Sequence, residues 1–427
     1  MKNQEYMTCK EAAEQWGVSV RNVQRLLKED RIPGAKMYGH SWMIPCGTGK
    51  PEDIRNEKKR KEVTYALYGI LATSIPMPRK HADAVLETFE EEAFRRQYAA
   101  ELSYFRGDFE AVKQYYRSIR IYDRMYLCAA HITLAAAMST GDYELYEAIM
   151  HTAELILEYA REQDEKTDTG VQENANGNPQ TSRFTPKGKC NWKICNPYTE
   201  IKLAIDMLHA LAAVSMLVPQ MLPKWLDTNN FSEYPSEARG MLLYLRIKYL
   251  QTTNRFDEML TTAQTVLTMR TNDDCFTSME LYSLLLCACA NYRLENHPQT
   301  AQDLEHAIHI GMPNHLLTPF AELSMAVGGQ LMPMIRKEYP SQYTKLVQQM
   351  EQTWINWLSF HNQFAQANIT LVLSPEEYQL ALLIKERKSY PEIAKLMATP
   401  EKEIHKMMTS IYQKLCIRGK ARLRKFI

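Results

Sequence analysis

The run from Arg21 to Lys28 concentrates side chains able to read and hold a polyanion: Arg21, Asn22, Gln24, Arg25 and Lys28. Arg pairs bidentately with guanine edges, Asn and Gln with adenine, and Lys with phosphate. In a helix these residues fall outside a stripe formed by Val23, Leu26 and Leu27. One face would be anchored and the other presented. Ser19 is placed to cap this helix and Gly17 to end the one before it. That earlier helix begins at Thr8-Cys9-Lys10-Glu11, where a hydroxyl residue is followed three positions on by Glu, the pattern of a capping box. It sets Ala12, Ala13 and Trp16 on one face. Downstream, Ile32-Pro33-Gly34 stops the helical pattern, and Lys36 to Ile44 reads as a small hairpin turning near Gly39-His40. Lys36, His40, Ser41 and Trp42 would lie along a nucleic-acid backbone beside the reading helix.

A second constellation closes the chain. Ser374-Pro375-Glu376-Glu377 is a capping box with Pro at the first helical position, and Leu380, Leu383 and Ile384 give its apolar face. Ser389 starts the next helix, with Ile393, Ala394 and Leu396 inward. Thr399-Pro400 starts a third, running to about Leu415, with Ile404, Met408, Ile411, Tyr412 and Leu415 as its core stripe. Lys402, His405, Lys406 and Thr409 fall on its outer face, and Lys414 and Arg418 extend the basic surface. Glu401 and Glu403 stand among them and would repel phosphates.

Other chemistry finds little support. Gly47-Thr48-Gly49-Lys50 resembles the end of a phosphate loop, but the earlier Gly is missing and Pro51 replaces Ser or Thr. Cys190 and Cys195 have no matching second pair, so no zinc or other metal site is expected. No Ser/His/Asp arrangement is identifiable, so neither an enzyme nor a cofactor is expected.

Charge is distributed unevenly. Residues 1–61 carry 13 Lys/Arg against 8 Asp/Glu, and residues 371–427 carry 12 against 6. The remainder is acidic by 10 charges. Basic ends suit a polyanion, and an acidic centre does not. The N-terminus has no apolar signal region, no run is long enough to span a membrane, and nine scattered cysteines fit reduced thiols, so a cytoplasmic protein is expected.

Between the ends the pattern is helical, and Gly (16) and Pro (19) are sparse for 427 residues. Arg106-Gly107-Asp108-Phe109-Glu110 recurs as Thr140-Gly141-Asp142-Tyr143-Glu144, an offset of 34 residues, which is the tetratricopeptide period. Related turns stand at Thr253-Asn254-Arg255-Phe256-Asp257 and, more weakly, at Glu295-Asn296-His297-Pro298. Paired helices of this kind stack into a curved solenoid with a concave groove. An aromatic-rich helix from Tyr115 to Tyr126 is read as core or groove lining. Residues 162–190 are polar, with almost no large apolar groups, and are read as a mobile loop.

Three resemblances follow from these residues. Met7-Thr8-Cys9-Lys10-Glu11-Ala12-Ala13, Gly17-Val18-Ser19, Arg31-Ile32-Pro33-Gly34-Ala35 and Gly39-His40-Ser41-Trp42-Met43-Ile44-Pro45 resemble the excisionase/MerR-like winged helix-turn-helix. That family usually carries Gly at Asp30 and Arg at His40. Leu373-Ser374-Pro375-Glu376-Glu377, Glu392-Ile393-Ala394-Lys395-Leu396 and Ile411-Tyr412-Gln413-Lys414-Leu415-Cys416-Ile417 resemble the LuxR-type helix-turn-helix, whose usual Gly, Thr and basic residue are replaced by Lys402, Glu403 and His405. His309-Ile310-Gly311-Met312 and Leu317-Thr318-Pro319-Phe320 resemble, briefly, the sensor repeats of MalT-like regulators. The expected fold is mainly α. A winged helix-turn-helix with linker occupies 1–60, a tetratricopeptide-like solenoid 61–365, and a LuxR-type four-helix unit 370–427. The resemblances imply a bacterial transcription regulator that binds double-stranded DNA, with a peptide, protein or small-molecule effector in the repeat groove. A homodimer is compatible with this, though no heptad run demands one. The rival reading is a protein-interaction adaptor on a tetratricopeptide scaffold, its helix-turn-helix units no longer bound to DNA.

Overall fold

The computed structural model describes residues 6–28, 32, 34–39, 41–46, 48, 61–168, 192–228, 230–269, 274–365, 373–414 and 417–426. These form two compact units, one reaching Glu62 and including Trp192 and Lys193, the other built from Val63 onward. The chain is mainly helical.

In the first unit, β1 (Tyr6–Met7) leads into α1 (Cys9–Trp16) and α2 (Val20–Lys28), followed by β2 (Lys36–Tyr38) and β3 (Ser41–Pro45). Thr8 and Glu11 close the expected capping box, with Thr8 N donating to Glu11 Oε2 at 2.7 Å and Glu11 N to Thr8 Oγ1 at 3.3 Å. Gly17, at φ +62°, ends α1 in the left-handed region, where a side chain would be strained. The strands pair antiparallel in the order β1-β3-β2, with Met37 opposite Trp42 and Met7 opposite Ile44. Met7, Ala12, Ala13, Val23, Leu26, Leu27, Ile32 and Ile44 make one small core, against which Trp16 and Trp42 pack.

The second unit is laid down as successive helical pairs. These are α3 (Glu92–Phe105) with α4 (Phe109–Ser118), α5 (Tyr126–Thr140) with α6 (Tyr143–Asp168), then α7 (Tyr198–Ser215) and the short α8 (Trp225–Thr228). Next come α9 (Arg239–Thr252) with α10 (Phe256–Thr268), and α11 (Ser278–Arg293) with α12 (His297–Gly311). The four turns singled out in the sequence share one geometry. Gly107, Gly141, Asn254 and Glu295 all take positive φ, and the next residue donates to the carbonyl five positions back, in Asp108→Ser103, Asp142→Ala137, Arg255→Leu250 and Asn296→Asn291. That bond satisfies an otherwise orphan helix-end carbonyl. Asp108, Asp142 and Asn296 then cap the following helix by accepting from the N–H three residues on. The Glu295 turn is thus as fully formed as the others.

The first helices of the pairs form an inner layer, α3 on α5, α5 on α7, α7 on α9 and α9 on α11. Nearly every residue of α5 and α11 is buried, as expected of helices covered on all sides. The outer helices α4 and α10 bury little. After α11 and α12 the chain runs through α13 (Thr318–Leu323), α14 (Leu331–Glu338) and the long α15 (Pro340–Phe364). Here the layer turns back on its beginning: α13 packs on α3, and Thr318 Oγ1 donates to Tyr104 O at 2.6 Å. Helix α15 ties several layers together. Gln349 Nε2 donates to Thr318 Oγ1, Asn356 Nδ2 to Ser139 O and Trp357 Nε1 to Ser215 O, at 2.8, 3.2 and 3.1 Å.

Two readings of the middle region need correction. No single helix spans Tyr115 to Tyr126: α4 ends at Ser118 and α5 begins at Tyr126. The β-branched Ile119 and Ile121 and the carboxylate of Asp123, which accepts from Arg120 N at 2.7 Å, favour a turn there. The Tyr116 and Tyr126 hydroxyls still meet at 2.7 Å. Second, the polar stretch from 162 does not begin as a loop, because α6 continues to Asp168. Glu, Gln and Lys propagate an existing helix well even without burial. Residues 169–191, including Cys190, lie outside the described residues.

A buried acid sits beneath the first pair. Glu101 is fully buried, and its carboxylate accepts from Leu71 N, Ala72 N and Gln97 Nε2 at 2.9, 2.8 and 2.7 Å. Burial outweighs these bonds and pushes the carboxyl up to about 7. Between the ordinary value of 4.5 and about 7 the folded chain holds a proton that the unfolded chain has lost, so stability falls as pH rises through that window. Glu101→Gln is expected to flatten this slope, recovering about 3 kcal/mol at pH 8 relative to the parent curve. Denaturant unfolding between pH 4.5 and 8 measures it, and parallel curves for the two proteins would refute it.

The C-terminal helices α16 (Pro375–Lys385), α17 (Tyr390–Leu396), α18 (Glu401–Lys414) and α19 (Lys420–Phe426) belong to the same compact unit as the body. Leu380, Leu383, Ile384, Ile393, Leu396, Ile404, Met408 and Ile411 are buried together, with Ala394 and Tyr412 packed against them. Leu415 lies outside the described residues. This core is continuous with the body through Tyr292, Met325, Trp354 and Trp357.

Candidate nucleic-acid interfaces

Helix α2 is held from behind by Val23, Leu26 and Leu27, each no more than 4% exposed. On its other side Arg21, Gln24, Arg25 and Lys28 are exposed and Asn22 is half-buried. Ser19 caps the helix, accepting from Asn22 N through its hydroxyl at 3.3 Å. Arg25 Nη2 donates to Asn22 Oδ1 at 3.0 Å, which orients both groups. Arg21, Gln24 and Lys28 carry no hydrogen bond or ion pair among the described residues. Lys36 and Ser41 are exposed on the hairpin, and Trp42 is half-buried against the core. His40 and Asp30 lie outside the described residues. The sequence reading missed Met37 and Tyr38, which are 59% and 84% exposed near the hairpin tip. Strand alternation points Met37 and Trp42 to one face and Tyr38 to the other, and Gly39 beside Tyr38 was the available signal.

The C-terminal face differs. Lys402, His405, Lys406 and Thr409 are all exposed on α18, but several are engaged locally. Lys406 Nζ meets Glu403 at 2.7 Å, and His405 lies 3.7 Å from Glu401 with its ring edge-on to Tyr390. The Thr409 hydroxyl turns back onto His405 O at 3.0 Å. Lys414 points inward to Glu377, at 2.6 Å. Only Lys402 and Arg418, of the residues expected here, are exposed with no hydrogen bond or ion pair among the described residues. Lys420 covers the Tyr390 ring at 3.5 Å.

Glu377 ties α16 to α18. It closes the capping box with Ser374 at 2.8 Å and accepts from Ser410 and Lys414 on α18 at 2.5 and 2.6 Å. Burial raises its carboxyl, but the Lys414 ammonium and the Ser410 and Ser374 donors together hold it below the usual range. The second capping box, Ser389 with Glu392, is also closed, with Ser389 N donating at 2.6 Å. The turn from α17 to α18 passes through Ala398 at φ +50°.

No protein-family model, no curated protein and no solved structure matches this chain. The resemblances drawn from the sequence rest on the residues quoted for them. Among the described residues no helix is long and apolar enough to cross a membrane.

Proposed function

We propose that the chain is a sequence-specific DNA-binding transcription regulator. Its first unit acts as a winged helix-turn-helix, its helical pairs as a tetratricopeptide-like sensor body, and its last four helices as a LuxR-type unit. One observation carries this reading: α2 presents an exposed row of Arg21, Gln24, Arg25 and Lys28 over a completely buried apolar row. A helix fixed on one side, with bidentate donors and a cation on the other, suits a major groove, and the adjoining hairpin suits the flanking backbone. The C-terminal face supports the reading less, since its charges are largely paired with their own neighbours. That pairing favours a second reading for this end, a docking module that orients the first reader.

The test is selection of bound duplexes from a random DNA pool with the full chain, at low and at physiological salt. An enriched motif with steeply salt-dependent affinity is expected. No enrichment at low salt would overturn the proposal in favour of the adaptor. A Lys402→Ala, Lys406→Ala variant addresses the C-terminal end: an unchanged motif and affinity assign it to docking, and loss of part of the motif assigns it to reading.

A further inference from the structure

A cavity of about 410 Å³ lies within the second unit, where the C-terminal helices meet the body. Its floor is made by the C-terminal ends of inner-layer helices, through Met138 and Ser139 of α5, Met216 and Leu217 just after α7, Lys248 of α9 and Cys289 of α11. Its roof is Trp354 and Trp357 of α15 with Tyr378 and Leu382 of α16. The size matches an organic ligand, and the wall is mostly aromatic and apolar.

The polar groups in this wall are unequally satisfied. Both Glu322 oxygens are taken, one by the Tyr104 hydroxyl and the other by Tyr282 at 2.8 Å. Arg293 is held by Glu386 at 2.9 Å and by the Phe256 ring. Gln251 Oε1 and the Tyr292 hydroxyl in this wall also have no hydrogen-bond partner among the described residues, and among its charged groups Lys248 is the exception. It is 8% exposed and lines the cavity, and its ammonium makes no hydrogen bond or ion pair among the described residues. Burial lowers the pKa of its ammonium, with Glu322 and Cys289 opposing. Helix C-termini favour a cation near them, and Lys248 is already that cation. The missing partner is an anion.

We infer that this cavity binds a small organic acid, with its acid group on Lys248 and an apolar, ring-bearing body between the helix ends and the Trp354, Trp357 and Tyr378 side chains. Because α16 forms part of the roof, such a ligand holds the C-terminal helices to the body. That regulatory consequence rests on the proposed DNA-binding function, whereas the ligand site does not.

The probes are 1-anilinonaphthalene-8-sulfonate, an aromatic acid, and N-phenyl-1-naphthylamine, the same rings without the acid. Both are titrated by fluorescence into the full chain. Saturable binding of each is expected. Lys248→Met should weaken the sulfonate about tenfold or more and leave the neutral amine unchanged, and replacing a buried unpaired charge by a similar apolar volume should not unfold the chain. Thr353→Trp, which fills the cavity from α15, should remove both. Equal sulfonate affinity in parent and Lys248→Met, binding that survives Thr353→Trp, or no saturable binding each overturns the inference. If DNA selection fails while this pattern holds, the ligand site stands and only its role in DNA recognition falls.

Discussion

Replacing Arg21 and Arg25 together by Ala should lower the affinity of the full chain for its selected duplex by about 100-fold, since each base-reading Arg is worth about 1–3 kcal/mol. The plot of log affinity against log salt should become shallower by about 2, one contribution for each charge removed. Both residues are exposed, so the fold should be unaffected, and an unchanged thermal midpoint would show it. Lys28→Ala provides the contrast. A phosphate contact should weaken all duplexes alike without altering the motif. Electrophoretic or anisotropy titrations at several salt concentrations measure these effects. Unchanged affinity and motif in the double variant would remove α2 from the interface.

The second large effect concerns stability. Glu377→Ala should destabilise the C-terminal helices by about 3 kcal/mol, combining loss of a helix cap with loss of charge-assisted hydrogen bonds. The carboxylate is buried and serves Ser374, Ser410 and Lys414 at once. Removal leaves three donors without an acceptor. Lys414→Met should cost less, because that side chain is 39% exposed and can reach water when released. The depressed carboxyl pKa sets the pH sign. The contribution is present above the ordinary carboxylate value and disappears as pH falls through the lower folded value, so the parent and Glu377→Ala curves should converge in acid. Hydrogen exchange on α16 and α18 would locate the loss. Uniform protection in the variant would show that the network contributes nothing.

Lys414 also marks what the sequence conceals. By type and spacing it belongs to a basic surface suited to phosphate. Its partner Glu377 stands 37 residues away, and no local pattern announces that contact. The capping half of Glu377's role was legible because it depends on a residue three positions away. The same divide runs through the body. The Gly107 and Gly141 turns declare themselves through a residue that tolerates positive φ followed by a capping Asp. The Glu295 turn is faint because Glu rarely takes that conformation, although Asn296 after it caps the next helix as the Asp residues do. The buried stripes of α2 and α18 followed from period alone. The closure of α13 onto α3 and the meeting of Lys248, Glu322 and Trp354 in one cavity depend on contacts across long stretches of sequence. Periodicity reveals which face of a helix is buried, and is silent on what covers it.

Trp354 and Trp357 lie in the roof of that cavity with ring centroids 5.8 Å apart and planes within 15° of parallel. Trp354 donates to Leu373 O, at the entrance to the C-terminal helices, and Trp357 to Ser215 O, in the body. Two indoles this close couple their strong electronic transitions, so the pair should give an exciton couplet in the far-ultraviolet circular dichroism. The couplet depends on both hydrogen bonds holding. Movement of α16 away from α15 would turn one ring, wet it and collapse the couplet, so the protein carries a built-in optical gauge of whether its last four helices are seated.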